Sequence, residues 1–183
     1  MAQTDLQTSF LRPDALLKHV GIDREMVVAD LGMGSGYFTF AASELVGPHG
    51  TVYAVDINTS ALSNLKSRIN INGQRNIVPV WADIEKLGST RIPDNACDAV
   101  FLVKVLYQVE HRDKAIAEAA RILRPKGTLV VVEWRMARTA IGPDIQQRVN
   151  MQELERELTV RGFKVAMRPE ADDQHSILVL TKE

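Results

Sequence analysis

The sequence predicts an α/β fold built on a mainly parallel sheet, and three observations carry that prediction. From Met26 onward, short β-branched runs alternate with longer helical patterns, the order expected of βα units. The first of those runs ends in three alternating glycines, Gly32, Gly34 and Gly36, and a helical pattern begins just after them. No repeat, low-complexity tract or long linker divides the 183 residues, so residues 1–183 are expected to form one domain around one core.

Seven strands are expected: Met26–Asp30, Thr51–Asp56, Ile77–Trp81, Cys97–Val103, Gly127–Trp134, Gly162–Met167 and Ser176–Thr181. An opening helix over Pro13–Val20 precedes them. Asn58-Thr59-Ser60 offers caps for a helix over Ala61–Asn70, in which Leu62, Leu65 and Ile69 recur at helical spacing and Asn72-Gly73 ends the element. Asp113–Leu123 places Ile116, Ala119, Ala120 and Leu123 on one face, with Arg121 and Arg124 suited to a helix end closed by Pro125 and Gly127. A last helix, Met151–Val160, carries Leu154, Leu158 and Val160 and stops at Arg161-Gly162.

Composition narrows the function classes. With 22 basic against 23 acidic residues and a net charge of -1, no field of one sign advertises a nucleic acid. A single cysteine, Cys97, builds neither a disulfide framework nor a Cys-rich metal site, so no metal and a reducing, cytoplasmic setting are expected. Met1–Phe10 has no apolar signal core, and apolar runs such as Ala99–Val103 have only strand length, so no membrane partner is expected.

The chemistry sits in Val27-Val28-Ala29-Asp30-Leu31-Gly32-Met33-Gly34-Ser35-Gly36-Tyr37. Glycines let the backbone turn tightly and approach a ligand, and the free N–H groups at the start of the next helix attract a carboxylate or phosphate. A dinucleotide site wants G-x-G-x-x-G, but the last position is Tyr37, where a side chain would obstruct helix packing, so NAD is disfavoured. A G-x-x-x-x-G-K-[ST] phosphate loop is absent as well. The second strand ends in Asp56, 20 residues beyond Gly36, where a carboxylate can accept hydrogen bonds from both hydroxyls of a ribose. The third ends in Asp83, which either accepts an adenine amino group, with Ile57 and Ile84 sandwiching the ring, or caps the turn toward Leu87.

These residues resemble the class I S-adenosylmethionine (SAM)-dependent methyltransferases, and more closely their small bacterial and archaeal members. Asp30-x-Gly32-x-Gly34-x-Gly36 is similar to the family's SAM loop, Asp56 to its ribose acid and Asp83 to its adenine-side acid. Asp98–Val109 and Ala119–Gly127 are similar to its fourth-strand segment and its helix-to-fifth-strand turn. The resemblance implies a Rossmann-like three-layer sandwich whose last strand runs antiparallel. It also implies SAM as cofactor, S-adenosylhomocysteine as product, and a site that includes Asp30, Gly32, Gly34, Gly36, Asp56, Ile57, Asp83, Ile84 and Lys104. The chain departs from its relatives in several places. Tyr107-Gln108 stands where they often carry histidine, one cysteine argues against arsenic as the acceptor, and the inserted segments of longer quinone-methylating relatives are missing.

Ligands of an open α/β sheet gather outside the carboxyl ends of its strands. That rule brings Tyr37, Lys104, Tyr107, Gln108, His111, Glu133, Trp134, Arg135 and Arg138 toward the methyl group, and places Arg121, Arg124 and Lys126 at the opposite edge as a solvated helix end. Methyl transfer from a sulfonium gains up to about 7–11 kcal/mol from positioning alone, so a base is needed only if the attacking atom carries a proton of high pKa. Glu133, His111 and Tyr107 are the candidates. The stretch Arg135–Arg148 lacks periodicity and is expected to form a lid, with Arg135, Arg138 and Arg148 available to an acidic acceptor and Gln7–Pro13 closing the other side. So small an addition to the core implies either a small-molecule acceptor or a homodimer in which a second subunit completes the pocket. Two other classes remain open at this stage, a SAM-binding regulator without turnover and an NAD-dependent oxidoreductase.

Overall fold

In the computed structural model, which describes residues 11–137 and 141–183, the strands are β1 (Val27–Leu31), β2 (Thr51–Asp56), β3 (Ile77–Trp81), β4 (Cys97–Val103), β5 (Leu123–Trp134), β6 (Phe163–Met167) and β7 (His175–Lys182). They form one seven-stranded sheet of order β3-β2-β1-β4-β5-β7-β6. β7 pairs antiparallel with both β5 and β6, and the pairs among β1 to β5 are parallel. The chain reverses its direction of travel across the sheet between β1 and β4, which leaves a crevice beyond the carboxyl ends of those two strands.

The helices are α1 (Pro13–His19), α2 (Tyr37–Val46), α3 (Thr59–Asn72), α4 (Arg112–Ile122) and α5 (Met151–Val160). Successive strand residues point to opposite faces, and the buried side chains divide accordingly into two layers. Val28, Val52, Ala99, Phe101, Val130 and Val132 pack under α1, α2 and α3. Ala29, Leu31, Val55, Val100, Leu102 and Val131 pack under α4 and α5. The three-layer sandwich with an antiparallel last strand is thus present as expected.

Local chemistry explains the helix boundaries. Asn58 caps α3 by accepting from the Ser60 and Ala61 N–H groups at 2.9 and 3.2 Å, and Gly73 ends it in the left-handed region at φ 71°. Several boundaries shift by one or two residues, and the largest difference from expectation is at the start of β5. β5 begins at Leu123, not Gly127, because Leu123 pairs with Cys97 before the register shifts to Ala99 opposite Thr128. Leu123 is therefore the first residue of a strand, no longer part of the preceding helix. Gly127 is required there by packing, since a Cβ would stand 2.6 Å from Leu123 Cδ1.

The Arg121 end of α4 is not a solvated cluster. Its guanidinium donates to Glu118 at 2.8 and 2.9 Å and to Asp94 at 2.5 Å, while Arg124 pairs with Asp98 at 2.8 Å. Glu118 is buried and also accepts from Thr90 and the Gly88 N–H, so this network ties the loop before β4 to α4. Among the described residues no helix is long and apolar enough to cross a membrane, and no group of three metal-ligating side chains occurs.

Candidate functional site

The three glycines of the β1–α2 loop all adopt positive φ, at 76°, 53° and 75°, and each does a different job. A Cβ on Gly32 would lie 2.4 Å from Val105 Cγ2, so Gly32 lets the loop pack against the chain after β4. Gly36 caps α2. A Cβ on Gly34 would meet no atom of the described chain within 4 Å, so this glycine borders open space. The Gly34 N–H donates to Asp56 Oδ2 at 2.9 Å and the Asn58 N–H to Asp56 Oδ1 at 2.8 Å, which fixes the acid at the end of β2 beside the glycine loop.

A cavity of about 580 Å³ opens beside this loop. Asp30, Gly32, Gly34, Lys104, Tyr37, Tyr107, Gln108 and Trp134 line it, as do Leu11, Met33, Phe38, Val103 and Ile141, which make its walls largely apolar. Asp30 is buried; its Oδ2 accepts from Thr39 Oγ1 at 2.6 Å, while Oδ1 has no hydrogen-bond partner among the described residues. Burial, reinforced by nearby Asp56, raises its pKa to about 6 against the Thr39 hydrogen bond. A buried carboxylate oxygen without a donor is an acceptor in want of a cation or N–H group. The Gly34 gap and this orphaned oxygen together fit a ligand that brings both bulk and a positively charged donor, as SAM does with its amino group.

Lys104 stands in the left-handed region at φ 51°, held by its N–H donating to Val132 O at 2.7 Å and by Gln108 Nε2 donating to its carbonyl at 2.6 Å. Such strain in a residue with a side chain is concentrated at functional sites. Its Nζ lies 5.4 Å from the centroid of Trp134.

Other expected site residues lie elsewhere. Glu133 is buried outside the cavity, because β5 alternation sends Trp134 to the α2 face and Glu133 to the α4 face, where Oε1 accepts the Leu106 N–H at 2.8 Å. His111 is exposed at the N-cap of α4, where its N–H donates to Glu85 Oε2 at 2.8 Å, and it does not line the cavity. Arg135 is exposed and lines a neighbouring hollow on the far side of His175. Asp83 accepts the Glu85 N–H at 3.0 Å and pairs with Lys86 at 3.1 Å, so its carboxylate caps the turn. Ile84 is buried in the α4-side core, and of the expected pair only Ile57, 59% exposed, offers an open face.

The lid arginines are also redistributed. Arg148 donates to the carbonyls of Pro143 at 2.9 Å, Arg135 at 2.7 Å and Ala137 at 2.6 Å, so it clamps the segment after β5 from within and does not await a substrate. Arg138 and Gln7–Phe10 lie outside the described residues, while Leu11 does reach the cavity wall. Tyr37 is 60% exposed and lines the cavity.

Sequence reasoning missed the contribution of β7. His175 and Asp172 line the same cavity as Lys104. An antiparallel strand presents its first residue at the edge where parallel strands present their last, and Trp134 pairs with His175 in register. The expected antiparallel direction of the last strand was the signal that could have found them.

The similarities to known proteins agree with this geometry. Residues 22–176 match the family described as methyltransferase domain. The chain is 40% identical over 108 residues to the ubiquinone/menaquinone biosynthesis C-methyltransferase UbiE of Pseudomonas aeruginosa PAO1, a match covering 58% of this chain and 41% of that protein. It thus spans about two fifths of the curated relatives it resembles. A SAM-dependent methyltransferase from Aquifex aeolicus superimposes with a TM-score of 0.87 at 23% identity, covering 95% of this chain and 91% of the other. An arsenic(III) SAM methyltransferase from Chlamydomonas reinhardtii shares the fold at a TM-score of 0.68 and 20% identity, covering 86% and 63%. With the family match spanning nearly all of the sheet and the glycine loop at its switch point, the chain belongs to the methyltransferase-domain family.

Proposed function

We propose that this enzyme methylates a small-molecule acceptor held between the glycine loop and Trp134. The observation that carries the reading is one shared space: Asp30, Gly32 and Gly34 line the same cavity as Tyr37, Tyr107, Gln108 and Trp134. A volume of about 580 Å³ falls within the usual range for small-molecule sites. The relatives' role in ubiquinone and menaquinone biosynthesis belongs to proteins that this chain covers only in part, and only the size class of the acceptor is carried over.

On this reading Asp30 faces the cofactor's amino group, Gly32, Gly34 and Gly36 give its backbone approach, and Asp56 takes the ribose hydroxyls. Ile57 flanks the adenine, with Asp83 and Ile84 near its rim, and Lys104 closes the site from the end of β4. When bound, SAM supplies a methyl group on a positively charged sulfur with a good leaving group. The chain's own task is to orient and to exclude water. Tyr37, Tyr107 and Trp134 supply the apolar faces against which a small acceptor lies, and Gln108 adds a polar contact.

A single domain working in the cytoplasm completes the reading. Cys97 is buried, with its thiol pushed up to about 12 by burial, so it is inert to arsenic and to disulfide exchange. One chain suffices on this account, and activity should not fall on dilution as it would if a second subunit completed the pocket. Incubation with SAM carrying a ¹³C methyl group and a small-metabolite pool, followed by mass spectrometry, tests the proposal. A labelled small molecule that depends on the protein is expected. SAM binding with no labelled product would make the chain a regulator.

A further inference from the structure

We infer that His175, oriented by Asp172, is the residue that takes a proton from the methyl acceptor, and that the acceptor attacks through an O–H or N–H group. The inference rests on the methyl-transfer reading above and adds to it a catalytic residue and a class of nucleophile.

The geometry runs outward from Asp172. Its carboxylate accepts the backbone N–H groups of Leu11 at 2.9 Å, Gln174 at 3.0 Å and His175 at 2.9 Å. Burial pushes the Asp172 carboxyl up, but the Gln174 and His175 N–H groups and the imidazole beside it outweigh burial and hold it below the usual carboxylate range. His175 Nδ1 lies 2.7 and 2.9 Å from the two carboxylate oxygens. An ionised carboxylate can only accept, so Nδ1 carries the hydrogen and Nε2 carries a lone pair. Nε2 is buried and has no hydrogen-bond partner among the described residues. The ring is 8% exposed, tilts against Trp134 at 4.7 Å between centroids, and lines the cavity together with Asp30 and Lys104.

Native cores seldom leave a ring nitrogen unpaired without a reason, and here the unpaired atom belongs to a side chain of the cavity wall. Burial pulls the imidazole below its ordinary range, and Lys104 acts in the same direction against Asp172, so the ring is neutral near pH 7. Arg135, Glu155, Arg168 and Glu170 are the charged groups in the hollow on its other side. Of the bases expected from sequence, Glu133 and His111 do not line the cavity, which leaves this dyad and the tyrosines.

In the step itself the acceptor's X–H proton passes to Nε2, and the imidazolium so formed is stabilised by Asp172. The acceptor's lone pair forms the X–CH₃ bond as the S–CH₃ bond breaks, its electron pair staying on sulfur to give S-adenosylhomocysteine. The proton leaves His175 for water once product has gone. An acceptor that is already a bare nucleophile, such as a thiolate, would need none of this.

NMR and the behaviour of substituted proteins test the inference. Long-range ¹H–¹⁵N NMR at pH 7 should show His175 as the Nδ1–H tautomer; an Nε2–H tautomer or a doubly protonated ring overturns it. His175→Asn and His175→Gln should bind SAM as the parent does by calorimetry, yet release S-adenosylhomocysteine about 10²–10⁴-fold more slowly with the small-metabolite pool as acceptor. With SAM saturating at every pH, so that Asp30 does not contribute, parent turnover should fall as pH drops through the imidazole midpoint, and the two variants should lack that limb. Asp172→Asn should lower kcat while KM for the acceptor holds. A folded His175 variant that turns over like the parent defeats the inference alone. A parent protein that binds no SAM or releases no S-adenosylhomocysteine defeats the methyl-transfer reading and this inference with it.

Discussion

Glu133 and Trp134 are adjacent on β5, yet Trp134 lines the cavity beside His175 while Glu133 is buried on the α4 side, with Oε1 accepting the Leu106 N–H at 2.8 Å and Oε2 unpaired among the described residues. Burial raises the Glu133 pKa from 4.5 to about 7 against the hydrogen bond from Leu106. The folded protein therefore binds this proton more tightly than the unfolded chain, and the stabilisation is complete below pH 4.5 and lost as pH rises toward 7. Glu133→Gln should remove that slope, gaining about 3 kcal/mol relative to the parent between those limits. Urea denaturation across the pH range measures it, and parallel stability curves would show that Glu133 stays ionised in the fold.

Asp30 makes a different pH prediction. Its carboxyl titrates at about 6, and only its ionised form can hold a cationic amino group through the unpaired Oδ1. SAM affinity should rise as pH increases through 6 and then level off. Asp30→Asn should bind SAM about ten- to a hundredfold more weakly and without that pH dependence. Calorimetry at several pH values checks this, and unchanged affinity in a folded variant would remove Asp30 from the site.

The glycines separate structure from binding. Gly32→Ala forces a Cβ to 2.4 Å from Val105 and should lower thermal stability, whereas Gly34→Ala meets no atom of the described chain and costs only its left-handed backbone, about 1–2 kcal/mol. Gly34→Ala should stay folded and lose SAM affinity. Equal losses of stability in both variants would mean that the loop is only a turn.

The layered sheet was legible because hydrophobic period and turn residues agree along the chain: Asn58 and Gly73 bracket α3 as their chemistry requires. The glycine loop was legible for the same reason, since three positive-φ positions demand glycine. The acceptor side was not, because it depends on strand parity and on a long-range pair. Glu133 and Trp134 cannot be told apart by proximity to the strand end, and only strand parity and the register with Ser176 and His175 assign their faces. Arg148 looked like a substrate contact because a buried arginine bound to three carbonyls leaves no mark in the sequence.

That clamp gives a further prediction. Arg148→Ala should free the segment around Arg135, Ala137 and Pro143, raising amide exchange there while β1 to β4 stay protected. Exchange unchanged in that segment would show that the carbonyl contacts do not hold it.

The central claim, that SAM occupies the crevice between β1 and β4, is tested most directly by hydrogen exchange of the intact protein with and without S-adenosylhomocysteine, using NAD as control. The account predicts slower exchange at Gly32, Met33, Gly34, Ser35 and Asn58 with S-adenosylhomocysteine, and no change with NAD. Protection of the same amides by NAD alone, or protection by S-adenosylhomocysteine confined to another part of the sheet, would contradict it.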